Sequence, residues 1–274
     1  MSIPQSWSAE AFNQAPESEN RIHSDEVAQE YGFRGALVPG VTVSAYLIHP
    51  AVVAWGEDWL ERGRARVVVH SPVYDREIFR VDVMNASPSA YGAELIDQTG
   101  ARCATAQVEL PDAGAVPAPP KLRHDAILGR DFDRPKASRK VMEQRRREGL
   151  SAMRARWNEA AEITRYLRNP DRMPDCFSKL GFANPAFVLG LTNWALAGNV
   201  RMSPWLHLQT DSQNYRPIAA DTELVVESTI ADLFEKKGHE FIDVEMNIFD
   251  RADEAAVASV RLRAIYRLRP PRGA

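Results

Sequence analysis

Asn20-Arg-Ile-His23-Ser-Asp-Glu-Val-Ala28-Gln-Glu-Tyr-Gly32-Phe33-Arg-Gly35-Ala-Leu-Val-Pro-Gly40 is the stretch on which the reading of this chain turns. Ser24 and Asp25 offer side-chain oxygens that can cap a short helix from Glu26 to about Tyr31, and Gly32 and Gly35 end it. Beyond Pro39-Gly40, residues 41–55 are apolar and often small, with Pro50 as the only strong breaker. That pattern predicts a largely buried helix, kinked or interrupted near Pro50 because proline removes one backbone N–H and crowds the preceding turn.

Working outward, strand-like runs follow at about 64–70, 77–86, 91–97 and 101–110, divided by turn formers such as Gln98-Thr99-Gly100. The last run alternates Cys103, Thr105, Gln107 and Glu109 with Ala104, Ala106, Val108 and Leu110, so one face is expected to be buried and the other not. A helix followed by such a meander is an α+β unit built on an antiparallel sheet. Residues 111–135 are rich in Pro and Ala without a period and read as a linker. After a charged helix near 138–148, the same order returns. Gly181-Phe182-Ala183-Asn184-Pro185 leads into an apolar helix at 186–197, then strands near 205–213, 223–233, 240–249 and 255–268. Repetition of order without residue identity points to internal duplication. The expected division is a first module over 1–112, a linker over 113–137 and a second module over 138–274.

Composition narrows the function classes. The chain has 274 residues, 45% hydrophobic and 26% charged, enough for two modest cores, and its net charge of −3 leaves no footprint for nucleic acid. The basic run Arg145-Arg146-Arg147 reads as a solvated helix face beside Glu143 and Glu148. Cys103 and Cys176 stand alone, so neither a disulfide framework nor a metal site is expected. No signal-like start and no run of about 20 apolar residues is present, which gives a cytoplasmic location as the expectation. Gly-rich phosphate loops, dinucleotide fingerprints and a Gly-x-Ser-x-Gly nucleophile motif are absent from the sequence.

The opening stretch resembles the hydratase signature of MaoC-like dehydratases and R-specific enoyl-CoA hydratases, which reads Asp-x-Asn-Pro-aliphatic-His, then an Ala five residues on, Gly-Phe-x-Gly and a later Gly opening the central helix. Asn20, Ile22, His23, Ala28, the Gly32-Phe33-Arg34-Gly35 turn and Gly40 fall into that pattern over about 30 residues. The resemblance implies a double hot-dog fold, two antiparallel-sheet modules each wrapped on a central helix. It implies an acyl thioester of coenzyme A or acyl carrier protein as substrate, with no separate cofactor and no metal. It also implies that His23 handles a proton, that Asn20 supports it, and that the Gly40 amide holds the thioester oxygen. Two departures stand out: Arg21 replaces the signature's Pro, and Ser18 replaces its catalytic Asp. Ser18 cannot act as an acid or base near neutral pH, so Glu17, or less favourably Glu19, is the candidate catalytic carboxylate. No Asn-x-x-His precedes the second turn, and Pro185 stands where an amide donor would be wanted, so a second catalytic centre is not expected.

Each candidate also has a plain structural account. His23 could cap or pack, Asn20 could hold a turn, the glycines could answer only to backbone conformation, and Glu17 and Glu19 could be solvated. Three functions therefore stand side by side. The first is a hydro-lyase on 2-enoyl or 3-hydroxyacyl thioesters. The second is a non-catalytic hot-dog protein binding an acyl thioester or other apolar ligand. The third is a hot-dog thioesterase. The expected assembly is a monomeric pseudo-dimer or a homodimer, without nucleic acid or membrane as partner.

Overall fold

The computed structural model describes residues 2–158 and 165–269. The first half runs β1 (Trp7–Glu10), α1 (Asp25–Glu30), α2 (Gly40–Trp55), α3 (Glu57–Arg62), β2 (Arg64–Val69), β3 (Ile78–Met84), β4 (Ala90–Asp97) and β5 (Arg102–Glu109). The second runs α4 (Arg139–Glu148), β6 (Met153–Arg156), α5 (Asp175–Ser178), α6 (Pro185–Asn199), β7 (Leu206–Asn214), β8 (Glu223–Lys236), β9 (His239–Asp250) and β10 (Ala256–Arg267).

All ten strands form one sheet in the order β1-β3-β4-β5-β2-β7-β10-β9-β8-β6, and each neighbouring pair is antiparallel. The halves meet where β2 pairs with β7, Arg64 opposite Gln213 and Val67 opposite Thr210. The edge strands β1 and β6 have only four residues each, which limits the unpaired backbone they offer. Neither was visible as a strand in the sequence. β1 lies in a polar, proline-flanked segment, and β6, Met153-Arg-Ala-Arg156, alternates charges with small residues.

Helix α2 runs unbroken through Pro50, with thirteen of its sixteen residues buried. The interruption expected at the proline appears in the hydrogen bonding instead. Pro50 has no N–H for the Tyr46 carbonyl, and that carbonyl accepts from the Trp7 indole at 3.2 Å. One rung further, Ala51 N–H donates to the Tyr91 hydroxyl at 3.2 Å, and that hydroxyl donates to the Leu47 carbonyl at 2.8 Å. A side chain thus bridges a rung the helix cannot close directly. The cap at α1 differs from expectation too. Ser24 stands at the N-cap without capping, its hydroxyl donating to Arg21 O, and Asp25 accepts from Ala36 N–H.

The core divides between the halves unevenly. The first-half cluster around Tyr46, Leu47 and Val81 also takes in Tyr166, Leu167, Met173, Cys176 and Phe177 from the segment ahead of α6. The second cluster centres on Leu191, Leu196, Val226, Val244 and Leu262. Within the proline-rich linker, the backbone N–H groups of Arg123 and Asp125 donate to the buried Glu227 carboxylate at 2.8 and 2.9 Å, which fastens the linker onto β8.

Candidate functional site

The loop before α1 makes a short 3-10 turn over Arg21–His23 with Asn20 at its N-cap. Asn20 is 8% exposed, and its carboxamide reaches into the other half of the chain. Its Oδ1 accepts from Trp205 N–H at 3.1 Å and its Nδ2 donates to Trp205 O at 3.1 Å, which fixes the orientation of the amide. The second hydrogen on Nδ2 faces His23 Nε2 at 3.3 Å. On the far side of the ring, His23 Nδ1 lies 2.7 Å from Leu37 O, a group that can only accept, so Nδ1 carries the proton and Nε2 is the acceptor. Protein atoms crowd the ring, and this burial holds the His23 pKa below the usual histidine value, partly opposed by the Leu37 bond.

The expected carboxylate is not beside it. Among the described residues, the histidine–carboxylate contact within 4.0 Å is His124 with Glu254. Glu17 is exposed and has no partner among the described residues. Glu19 turns outward to Arg134 at 2.7 Å, and that hydrogen bond lowers its carboxyl below the ordinary range. Ser18, at the signature's Asp position, accepts from its own loop, Asn20 N–H, at 3.1 Å.

Gly40 opens α2. The Pro39 carbonyl takes the amides of Thr42 and Val43, and the Gly40 amide has no partner among the described residues, as helix starts leave their first N–H groups. The residue must be small: a Cβ there would stand 2.9 Å from His207 Cβ and 3.0 Å from His207 O. His207 is the residue sequence reading passed over. It sits on β7, 8% exposed, with Nδ1 3.1 Å from Asn193 Oδ1 on α6 and Nε2 2.6 Å from the Thr210 hydroxyl. Burial pushes its pKa down to about 3, so it is neutral. His207 and Thr210 share a face because the β7–β10 ladder slips at Leu208, opposite Arg263 and Ala264. Nothing in the sequence marks that bulge.

Asn20, His23 and Gly40 line one cavity together with Asn193, Trp205 and His207, so both halves of the chain build it. It holds about 150 Å3. At the matching start of α6, Pro185 occupies the first helical position, the Asn184 side chain accepts from Phe187 N–H at 3.1 Å, and the space beside it is only about 30 Å3.

No protein-family model and no curated protein sequence matches the chain. Solved structures do. A conserved hypothetical protein from Mycobacterium tuberculosis with a double hot-dog fold superimposes with a TM-score of 0.58 at 14% identity, over 97% of this chain and 96% of that one. The fold is the double hot dog. A protein described as a MaoC domain dehydratase from Chloroflexus aurantiacus aligns on the same double hot dog with a TM-score of 0.53 at 12% identity, over 96% of each chain. One described as a thioesterase II from Thermobifida fusca aligns at 0.50 and 13%, over 96% of this chain and 94% of that one. Proteins described as dehydratases and proteins described as thioesterases are thus both similar to this double hot dog, and at these identities the likeness speaks for the fold while the chemistry has to be argued from the site. No helix among the described residues is long and apolar enough to cross a membrane.

Proposed function

We propose that this chain binds an acyl thioester in the His23 cavity without hydrating it. The observation that carries the reading is the hydrogen bonding of His23. Hydration needs a base for water, a proton donor for the α-carbon and a donor for the enolate oxygen. The Gly40 amide suits the last role. The His23 Nδ1 proton is held by Leu37 O, the Nε2 lone pair faces the Asn20 amide, and among the described residues no carboxylate pairs with either nitrogen. What is left is a pocket with an apolar wall, one free helix amide for a thioester carbonyl and neutral imidazoles. That set favours holding a ligand over transforming it. Coenzyme A or a carrier protein would arrive as part of the ligand, and no resident cofactor is invoked.

A second reading, the hydro-lyase, is favoured by the convergence of Asn20, His23 and Gly40 on one cavity and by Glu17 being unpaired on the same loop. One assay separates the two. Crotonyl- and hexenoyl-CoA are offered to the purified chain while loss of the conjugated enoyl absorbance, release of free thiol and ligand binding are followed in parallel. The binding reading expects saturable binding with neither chemical signal. Loss of enoyl absorbance without thiol would establish hydration and overturn it, and thiol release would establish thioester hydrolysis. Ser18→Asp restores the signature's acid, and a gain of hydratase activity on that change alone would locate the missing group.

A further inference from the structure

We infer that the cavity selects a short acyl group, of about six carbons or fewer, and excludes medium and long chains. The inference rests on the acyl-thioester reading of the site and adds the ligand's size class. Its first support is volume. About 150 Å3 is available beside His23, and an apolar protein cavity of that size is filled by a benzene-sized group. A twelve-carbon chain is twice as large.

The second support is that the wall cannot retreat. Val43 is 1% exposed, Val73 2%, Val38 5% and Leu37 6%, so their outward sides are already covered. They belong to separate packed clusters. Val38, Val43 and Val73 are set in the first-half core, Trp205 in the second-half core, and Leu37 in a third group with Ile22 and Ala28. The cavity lies where the three meet. Interiors packed to crystal-like density do not yield locally, so widening the cavity would mean moving whole clusters. On the β7 side, His207 is pinned by Asn193 and Thr210 and backed directly onto the start of α2, which keeps that wall in place as well.

The third support is polarity. The cavity is apolar along Val43, Val69, Val73 and Leu208 but carries Asn193 and His23 among them. A long alkyl tail would cover the Asn193 amide nitrogen, whose hydrogens have no partner among the described residues, whereas a short acyl group reaches only the apolar part.

The test is a chain-length series of S-acyl pantetheines, the portion common to coenzyme A and carrier proteins, so that the result does not depend on the carrier. Acetyl, butyryl, hexanoyl, benzoyl, octanoyl and lauroyl compounds are titrated into the full chain by calorimetry, with intrinsic tryptophan fluorescence as a second readout. The expected result is tightest binding at butyryl to hexanoyl, benzoyl within about threefold of hexanoyl, and lauroyl at least about tenfold weaker. Val43→Ala, and separately Val69→Ala should the first fold poorly, is expected to move the optimum toward octanoyl. Lauroyl binding as tightly as hexanoyl would overturn the size limit while leaving the acyl-thioester reading standing. Failure of every chain length to bind would overturn both.

Discussion

Asn20 shows how one residue can be legible in sequence for one reason and necessary in structure for another. Its place three residues before His23 was readable from the motif. Its grip on both backbone groups of Trp205 was not, because 185 positions separate them. Removing the carboxamide would leave a buried N–H and C=O unpaired, so Asn20→Ala is expected to destabilise the fold by about 2–4 kcal/mol. Denaturant melts would read this, and a change below 0.5 kcal/mol would mean the clamp is dispensable. Gly40 poses the sharper steric question. Its replacement by Ala presses a methyl into the backbone of His207, which is expected to cost about 1–3 kcal/mol and to reduce ligand affinity by spreading α2 from β7. His207 itself and Asn193 were beyond reach of the sequence. A histidine after Pro204-Trp205 on a strand carries no mark of a bulge that turns it toward a helix from elsewhere in its half.

At the scale of elements, long periodic segments were the legible ones. The two apolar helices and the eight strands that follow them lie within a few residues of where their patterning puts them, and β8 and β9 run beyond expectation because a hairpin extends past the core. What escaped was short or irregular. α3, β1 and β6 have four to six residues each, too few to show a period. Helix α2 is where a local rule and the tertiary structure disagree, since an internal proline should cost about 3 kcal/mol. The Trp7 indole and the Tyr91 hydroxyl take over the groups Pro50 leaves open. Tyr91→Phe removes one of these repairs while keeping the ring, and a loss of about 1–3 kcal/mol is expected in chemical denaturation. Replacing Pro50 by Ala as well should recover part of that loss. If the double variant is no more stable than Tyr91→Phe alone, the repair account fails.

For the whole molecule, the buried histidines set the response to acid. His49, beneath the Trp7 ring and 2.8 Å from the Tyr166 hydroxyl, and His207 both have their pKa pushed down to about 3 by burial. In the unfolded chain both titrate near 6.5, so below that pH the unfolded state binds protons the native state refuses. Stability is therefore full above about pH 6.5 and falls as pH drops toward 3. Between pH 6 and 5, where most carboxylates remain ionised, each histidine should contribute a slope approaching 1.4 kcal/mol per pH unit. Unfolding free energies measured across that range should flatten in His49→Gln and His207→Gln; an unchanged slope in both would remove burial as its cause. The order of an apolar helix followed by four strands was legible in each half, but the packing of one half's residues into the other's core was not. Tyr166, Leu167, Met173, Cys176 and Phe177 complete the core of the first half from beyond the linker. On the ribosome, that half emerges with its apolar side open and has to wait for about sixty further residues of synthesis before this segment arrives to pack against it. At about 5–20 residues per second this is a delay of several seconds, long enough for a chaperone to engage the nascent chain and for a stalled or truncated product to be recognised as unfinished.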